Sequence, residues 1–320
     1  MLFEKQIINI YKNMVCKRCD DDQATFYFTN NDFKGLNKEE ITFKSSLGHD
    51  LRGYLYSYEN YNPNRLIIFE HGYGGGHLSY MKEIEKLCNA GYLVLSYDHT
   101  GCMTSGGEGS NGMAQSLHDL DDCIKYLKNS EKFKYLDISV IGHSWGGFST
   151  LNISKIHKDI SHVIVMSGFV SVELLIESFF SGLLKGYRKS VLAFEKKCNP
   201  EYANFHSVDS LLASNAKVLL IYSDNDKICS KEKHFDLLKE KLQDKENIYF
   251  RLEHDKEHNP NYTREAVKYL NEYVSLKQKL FKKKKLNTKE EKERFISSFD
   301  WNKMTEQDEK VWNEILEFLK

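Results

Sequence analysis

A chain of 320 residues with 41% apolar and 28% charged side chains can bury a sizeable core without disulfides or metals, which excludes disorder as its main state. Lys plus Arg (45) nearly balances Asp plus Glu (46), so no global field draws in nucleic acid or an anionic membrane. The seven cysteines are odd in number and mostly scattered, which reads as free thiols in a reducing compartment.

The first segment, residues 1–40, reads as an N-terminal extension. It carries no basic region followed by an apolar run, and no stretch of the chain approaches the length of a membrane span, so a cytoplasmic protein without a membrane anchor is expected. Cys16-Lys17-Arg18-Cys19 has the spacing of half a zinc site, but no second pair of ligands follows at a matching distance. No metal and no cofactor are expected.

Between 41 and 275, short β-branched runs alternate with segments of helical period, and no Gly/Ser-rich linker interrupts them. Strands are predicted over 41–44, 51–57, 65–70, 92–97, 138–141, 162–166, 218–222 and 248–252. Gly48-His49-Asp50 makes the first two an antiparallel hairpin, and the nearly continuous apolar runs of the others point to buried parallel strands. Helices are predicted at about 77–90, 114–129, 145–157, 230–242 and 263–280. The expected fold is a three-layer α/β sandwich around a mostly parallel eight-stranded sheet.

Two segments exceed that plan. Residues 171–215 are too long for a simple crossover. They open with Ser171 as a helix N-cap, followed by Val172, Leu175, Ile176, Phe179, Phe180 and Leu183 at helical spacing, ending near Gly186. This helix packs on the body, and as a lid its Leu175, Ile176, Phe179 and Phe180 would roof a substrate pocket. The second is the C-terminal extension, 276–320. It starts with the basic run Lys282–Lys285, read as a solvated face, and recovers helical period at Val311, Trp312, Ile315, Leu316 and Leu319. Thr305 with Asp308 resembles a cap for that last helix, which should dock on the body or on a second subunit, so a homodimer is possible.

The chemistry centres on Gly142-His143-Ser144-Trp145-Gly146, where a β run meets a G-x-S-x-G turn and continues as a helix. A serine exposed on such a strained turn is a nucleophile only if a base takes its proton, so an acid and a histidine are expected later in the chain. The turn after the seventh strand offers Asp224 and Asp226; the loop after the eighth offers His254 and His258. Asp226 and His258 are preferred because they lie further from their strand ends, where the loops can turn towards the serine. Asp224 is left as a turn residue bonding its own backbone, and His254 as a surface residue or one that supports the site without touching the serine. The backbone N–H groups of Trp145 and of Tyr73, in the Gly-rich loop His71 to Gly76 after the third strand, are the expected oxyanion donors. His71 is read as a structural hydrogen-bonder.

With His71-Gly72-Tyr73-Gly74-Gly75-Gly76, Asp98-His99-Thr100-Gly101 with Ser105-Gly106, and Gly142-His143-Ser144-Trp145-Gly146-Gly147 in place, the chain resembles the α/β-hydrolase superfamily across about 41–275. It looks most like the serine aminopeptidase S33 or monoacylglycerol-lipase branch. The resemblance implies a Ser144, Asp226, His258 triad, the Tyr73 and Trp145 amides as oxyanion hole, and a structural role for Asp98. The expected activity is hydrolysis of a small or medium carboxylic ester through an acyl-enzyme, which should weaken at acid pH as His258 takes up a proton. A peptidase or amidase would use the same residues, with Glu173 and Glu177 as weak candidates to hold a free amino terminus. A non-catalytic binding protein on the same fold is the reading from another class.

Overall fold

The computed structural model describes residues 3–320. Its sheet is formed by β1 (Asn37–Lys44), β2 (Asp50–Ser57), β3 (Arg65–Glu70), β4 (Leu93–Tyr97), β5 (Asp137–His143), β6 (His162–Met166), β7 (Lys217–Ser223) and β8 (Ile248–Glu253) in the order β1-β2-β4-β3-β5-β6-β7-β8. β1 pairs antiparallel with β2 and β2 antiparallel with β4, while β4, β3, β5, β6, β7 and β8 are parallel to their neighbours. Because side chains alternate along a strand, β3 sends Leu66 and Ile68 into one core and Ile67 and Phe69 into the other. That two-sided burial is why the central strands read as continuous apolar runs.

One face is covered by α3 (Gln115–Asn129), α4 (Ser144–Ile156), α7 (Ser207–Leu212) and α8 (Asp236–Leu242), the last preceded by a wide π turn at Lys231–Phe235. The other face is covered by α2 (Met81–Asn89) and α12 (Glu309–Phe318). The C-terminal helix is therefore structural: Val311, Trp312, Ile315 and Leu319 pack in one cluster with Ile67, Phe69, Ile141, Ile164 and Ile221. The cap expected at Thr305 is made instead by Asp308, whose carboxylate accepts from the N–H groups of Lys310 (2.8 Å) and Val311 (3.4 Å), while Thr305 Oγ1 donates to Trp301 O. α9 (Arg264–Lys282), α10 (Lys289–Ser297) and α11 (Trp301–Met304) build a small satellite core around Tyr273, Phe295 and Met304. Lys282 to Lys285 are exposed at the end of α9.

The insertion after β6 contains α5 (Val172–Phe179) and α6 (Arg188–Cys198), joined by a 3₁₀ turn at Gly182–Tyr187. Ser171 Oγ caps α5 by accepting from Leu174 N, as its position predicts. The helix does not run on to Gly186: it closes at Phe180, Gly182 takes a positive φ of 56°, and Leu183 is left fully exposed. A helix absent from the sequence reading, α1 (Glu4–Val15), lies against α6 and buries Tyr11 and Val15. Among the described residues no helix is long and apolar enough to cross a membrane.

Candidate active site

β5 ends at the serine. His143 is still extended (φ −118°), and Ser144 takes φ 56°, a left-handed conformation that a β-substituted residue adopts only when its surroundings hold it there. The helix that follows is pressed onto the end of β3, since a Cβ at Gly146 would lie 2.4 Å from Glu70 O. Any other residue there would push the serine's helix off the sheet.

The loops after β7 and β8 bring the other two groups to it. His258 Nε2 lies 2.7 Å from Ser144 Oγ, and His258 Nδ1 lies 2.8 Å from Asp226 Oδ2. Asp226 Oδ1 accepts from the N–H groups of Ile228 (2.8 Å) and Cys229 (3.0 Å). Burial works to raise this carboxyl, but the bond to His258 and the two amides outweigh it and hold Asp226 below the usual carboxylate range. An ionised acceptor at Nδ1 fixes the imidazole tautomer that leaves Nε2 free to take a proton from Ser144.

The second-choice residues form a pair of their own. His254 Nδ1 lies 2.6 Å from Asp224 Oδ2, with His254 exposed, and Asp224 Oδ1 accepts from Asp255 N at 3.1 Å. Asp224 thus ties the loop after β7 to the loop after β8, a longer-range role than the local turn expected of it.

On the donor side, Trp145 stands in the first turn of α4, where N–H groups have no intrahelical acceptor. Tyr73 lines the same cavity as Ser144, and its hydroxyl donates to Met14 O at 2.8 Å. Beneath that loop, His71 Nε2 accepts from His99 N at 3.0 Å and Nδ1–H donates to Gly72 O at 2.8 Å. Burial, then His99, pushes His71 down to about 3, so it stays neutral and serves as a brace. Asp98 accepts from His77 N and Nδ1 and from Thr104 N and Oγ1, and a Cβ at Gly76 would lie 2.5 Å from its Oδ1. That carboxylate holds the two loops together below the cavity.

Sequence reasoning missed His143 and Tyr80. His143 Nε2–H donates to His258 O (2.7 Å), and its Nδ1 accepts from Tyr80 OH (2.8 Å), which accepts in turn from Gly72 N (3.0 Å). Burial, then His258, pushes His143 down to about 3, so this bridge is made by a neutral ring.

Ser144 and His258 open onto a cavity of about 310 Å³ lined by Met14, Val15, Tyr73, Met113, Phe169, Leu175, Phe179 and Ile228. Of the four lid residues expected there, Leu175 and Phe179, one turn apart, face the cavity. Ile176 and Phe180 lie on the adjacent stripe of α5 and are buried elsewhere, Phe180 against Tyr11 with ring centroids 5.9 Å apart. Val15 and Met14, on α1, supply a wall that no local motif announces.

Asp226, Cys229 and His258 could in principle share a cation, their ligand atoms lying within 4.8 Å of one another. The fit is poor, because burial and Asp226 push the Cys229 thiol up and Asp226 already accepts three hydrogen bonds.

The family model for serine aminopeptidase S33 matches residues 61–207, a little under half of the chain. An esterase of Pyrococcus furiosus, 20% identical, superposes with a TM-score of 0.58 over 80% of this chain and 94% of its own. The chain has the α/β-hydrolase fold. Among curated proteins it is 27% identical to a proline iminopeptidase of Saccharolobus solfataricus over 187 residues, 56% of this chain and 58% of that protein. It is 29% identical to an uncharacterised protein of Bacillus subtilis over 125 residues, 39% of this chain and 40% of that one. The chain thus spans about half the length of the curated relatives it matches.

Proposed function

We propose that this hydrolase cleaves carboxylic esters of small or medium acyl groups through an acyl-enzyme on Ser144. The observation that carries the reading is the 2.7 Å approach of His258 Nε2 to Ser144 Oγ at the floor of an apolar cavity. In this reading His258 takes the Ser144 proton as Oγ attacks the carbonyl carbon, and the Trp145 and Tyr73 amides receive the oxyanion. The tetrahedral intermediate collapses, and His258-H⁺ gives its proton to the departing alkoxide. Water, deprotonated by the same imidazole, then releases the acid and restores Ser144. Asp226 keeps the ring oriented and stabilises its charged form.

A serine peptidase is the second reading, supported by the family description and by the similarity to a proline iminopeptidase. The cavity favours the ester. Among the described residues no carboxylate lines it: Glu173 is exposed on α5, Glu177 lies 3.8 Å from Arg188, and neither belongs to the cavity wall.

The test is a comparison of p-nitrophenyl esters of increasing acyl length with aminoacyl amides, using Ser144→Ala as the control. Turnover of the esters that vanishes in the control supports the proposal; turnover of the amides alone transfers it to the peptidase reading. Failure of a fluorophosphonate to label Ser144 would point to a binding protein.

A further inference from the structure

The two cysteines that resemble half a zinc site do not face each other. Cys16, at the C-terminal end of α1, hydrogen-bonds through its thiol to Cys198, the last residue of α6. Cys19 makes the same contact with Cys102, in the loop after β4, where backbone bonds Cys19 N to Gly101 O (2.8 Å) and Met103 N to Cys19 O (3.0 Å) seat it. Among the described residues no three metal-ligating groups gather around any of these four sulfurs, and all four are thiols. A pair of pairs is the pattern of a clasp between segments.

We propose that Cys16 and Cys198 are a reversible disulfide site that fastens α1 to the cap helix α6 by exchange with a low-molecular-weight disulfide.

Two observations support it beyond the contact itself. First, the helices it would join are already mated. Tyr11 OH donates to Glu195 Oε1 (2.7 Å), Glu195 Oε2 accepts from Met113 N (2.8 Å), and Tyr11 packs against Phe180 and Phe194. A bond at the ends of α1 and α6 therefore closes on an existing alignment, with little chain to rearrange. Second, the pair is reachable. Both residues are partly exposed and line an open cavity of about 550 Å³, with Lys12 and Glu108 also in its wall, wide enough to admit a low-molecular-weight disulfide such as oxidised glutathione. Cys102, by contrast, is fully buried, which shields the second pair.

The exchange runs in two steps. One of the two cysteines, as its thiolate, attacks one sulfur of oxidised glutathione, breaking its S–S bond and expelling one glutathione thiolate. The other, giving up its proton, then attacks the protein sulfur of the mixed disulfide and expels the second. Two protein thiols and one glutathione disulfide become one protein disulfide and two glutathione molecules. The consequence lies at the active site, because Met14 and Val15, immediately before Cys16, form one wall of its cavity and Met14 O holds Tyr73 OH. Oxidation would fix that wall.

The full chain is incubated with oxidised glutathione, digested without reduction and mapped by mass spectrometry. The expected product is a Cys16–Cys198 cross-linked peptide that dithiothreitol dissolves. Tryptic cleavage after Lys12 in the native oxidised chain should slow at least about fivefold, because local opening of α1 is suppressed. Cys16→Ser and Cys198→Ser should each abolish the cross-link and the protection. Stable glutathione adducts on Cys198 without the cross-link, a Cys16–Cys19 bond, or preferential Cys19–Cys102 oxidation would overturn the proposal. The mapping needs no substrate and is decided on the unmutated chain, so it stands or falls separately from the esterase reading and from the folding of either variant.

Discussion

His143 Nε2 donates to the carbonyl oxygen of His258 over 2.7 Å, joining the residue before the serine to the backbone of the loop that carries the imidazole. Tyr80, bonded to the other ring nitrogen and to Gly72 N, extends the link to the Gly-rich loop after β3. All three segments that meet at Ser144 are held by two uncharged side chains. Replacing His143 with Phe keeps the ring and removes both bonds. Since a misplacement of about 1 Å can cost roughly 10²-fold in rate, kcat for an ester should fall about 10- to 100-fold with KM changed less than about threefold. Steady-state kinetics on the purified variant check this; a kcat equal to that of the parent would show that the bridge positions nothing.

The two carboxylates of the loop after β7 separate cleanly by their partners. Asp226→Asn leaves the shape of the site intact but presents Nδ1 of His258 with an amide, which can donate and so favour the wrong tautomer; a loss of about 10³- to 10⁴-fold in kcat is expected. Asp224→Asn breaks only the contact with exposed His254 and should cost less than about threefold, in line with the small worth of exposed ion pairs. Equal losses in the two variants would remove the reason for assigning Asp226 to the site.

The difference between what the sequence revealed and what it hid follows the range of the interactions. The serine turn is local: Gly142, Ser144 and Gly146 bear the conformational demands of a strand-to-helix reversal within five residues, and the loops after β7 and β8 are marked by where their apolar runs stop. Ser144, Asp226 and His258 could therefore be nominated from spacing alone. The docking of α12 could not, because a period of apolar residues tells which stripe is buried without telling what buries it. The same holds for α1, where Tyr11 and Val15 at i and i+4 were the only buried signal and their hydrogen-bond partners, Glu195 for Tyr11 and Ser110 for the Val15 carbonyl, lie 184 and 95 residues away. His143 was hidden differently: it sits inside the motif as its variable position, and its role depends on Tyr80 and on a backbone oxygen, neither of which spacing can supply.

Leu175 is buried in the cap and lines the cavity beside Ser144 together with Phe179. Leu175→Ala should enlarge the cavity and move the preferred p-nitrophenyl ester to a longer acyl chain, while costing about 2 to 5 kcal/mol of stability if the site cannot collapse. The decisive measurement is the ratio of kcat/KM for a long ester to that for acetate, which cancels any loss of folded enzyme. An unchanged ratio would place the acyl group elsewhere.

Glu83, on α2, is the buried anchor of the C-terminal segment: its Oε1 accepts from Asn261 Nδ2 (3.1 Å) and Gln307 Nε2 (3.1 Å), and Gln307 Oε1 accepts from Trp312 Nε1 (2.8 Å). Burial pushes its carboxyl from an ordinary 4.5 up to about 7, against the pull of those donors. Below about 4.5 the folded and unfolded chains both hold the proton, and Glu83 contributes its full stability. Between there and about 7 the unfolded chain releases a proton that the folded chain keeps, so stability falls by up to about 1.4 kcal/mol per pH unit from this group. Glu83→Gln retains the oxygen acceptor and removes the titration. The variant should match the parent near pH 4.5 and exceed it at pH 8 by on the order of 1 to 3 kcal/mol, as read from urea unfolding at the two pH values. Glu70, also raised to about 7 by burial, is present in both proteins and cancels in the comparison. If the difference between variant and parent is the same at both pH values, Glu83 is ionised in the folded protein and the anchor is an ion-dipole contact, in which case removing its charge should weaken the docking of α12.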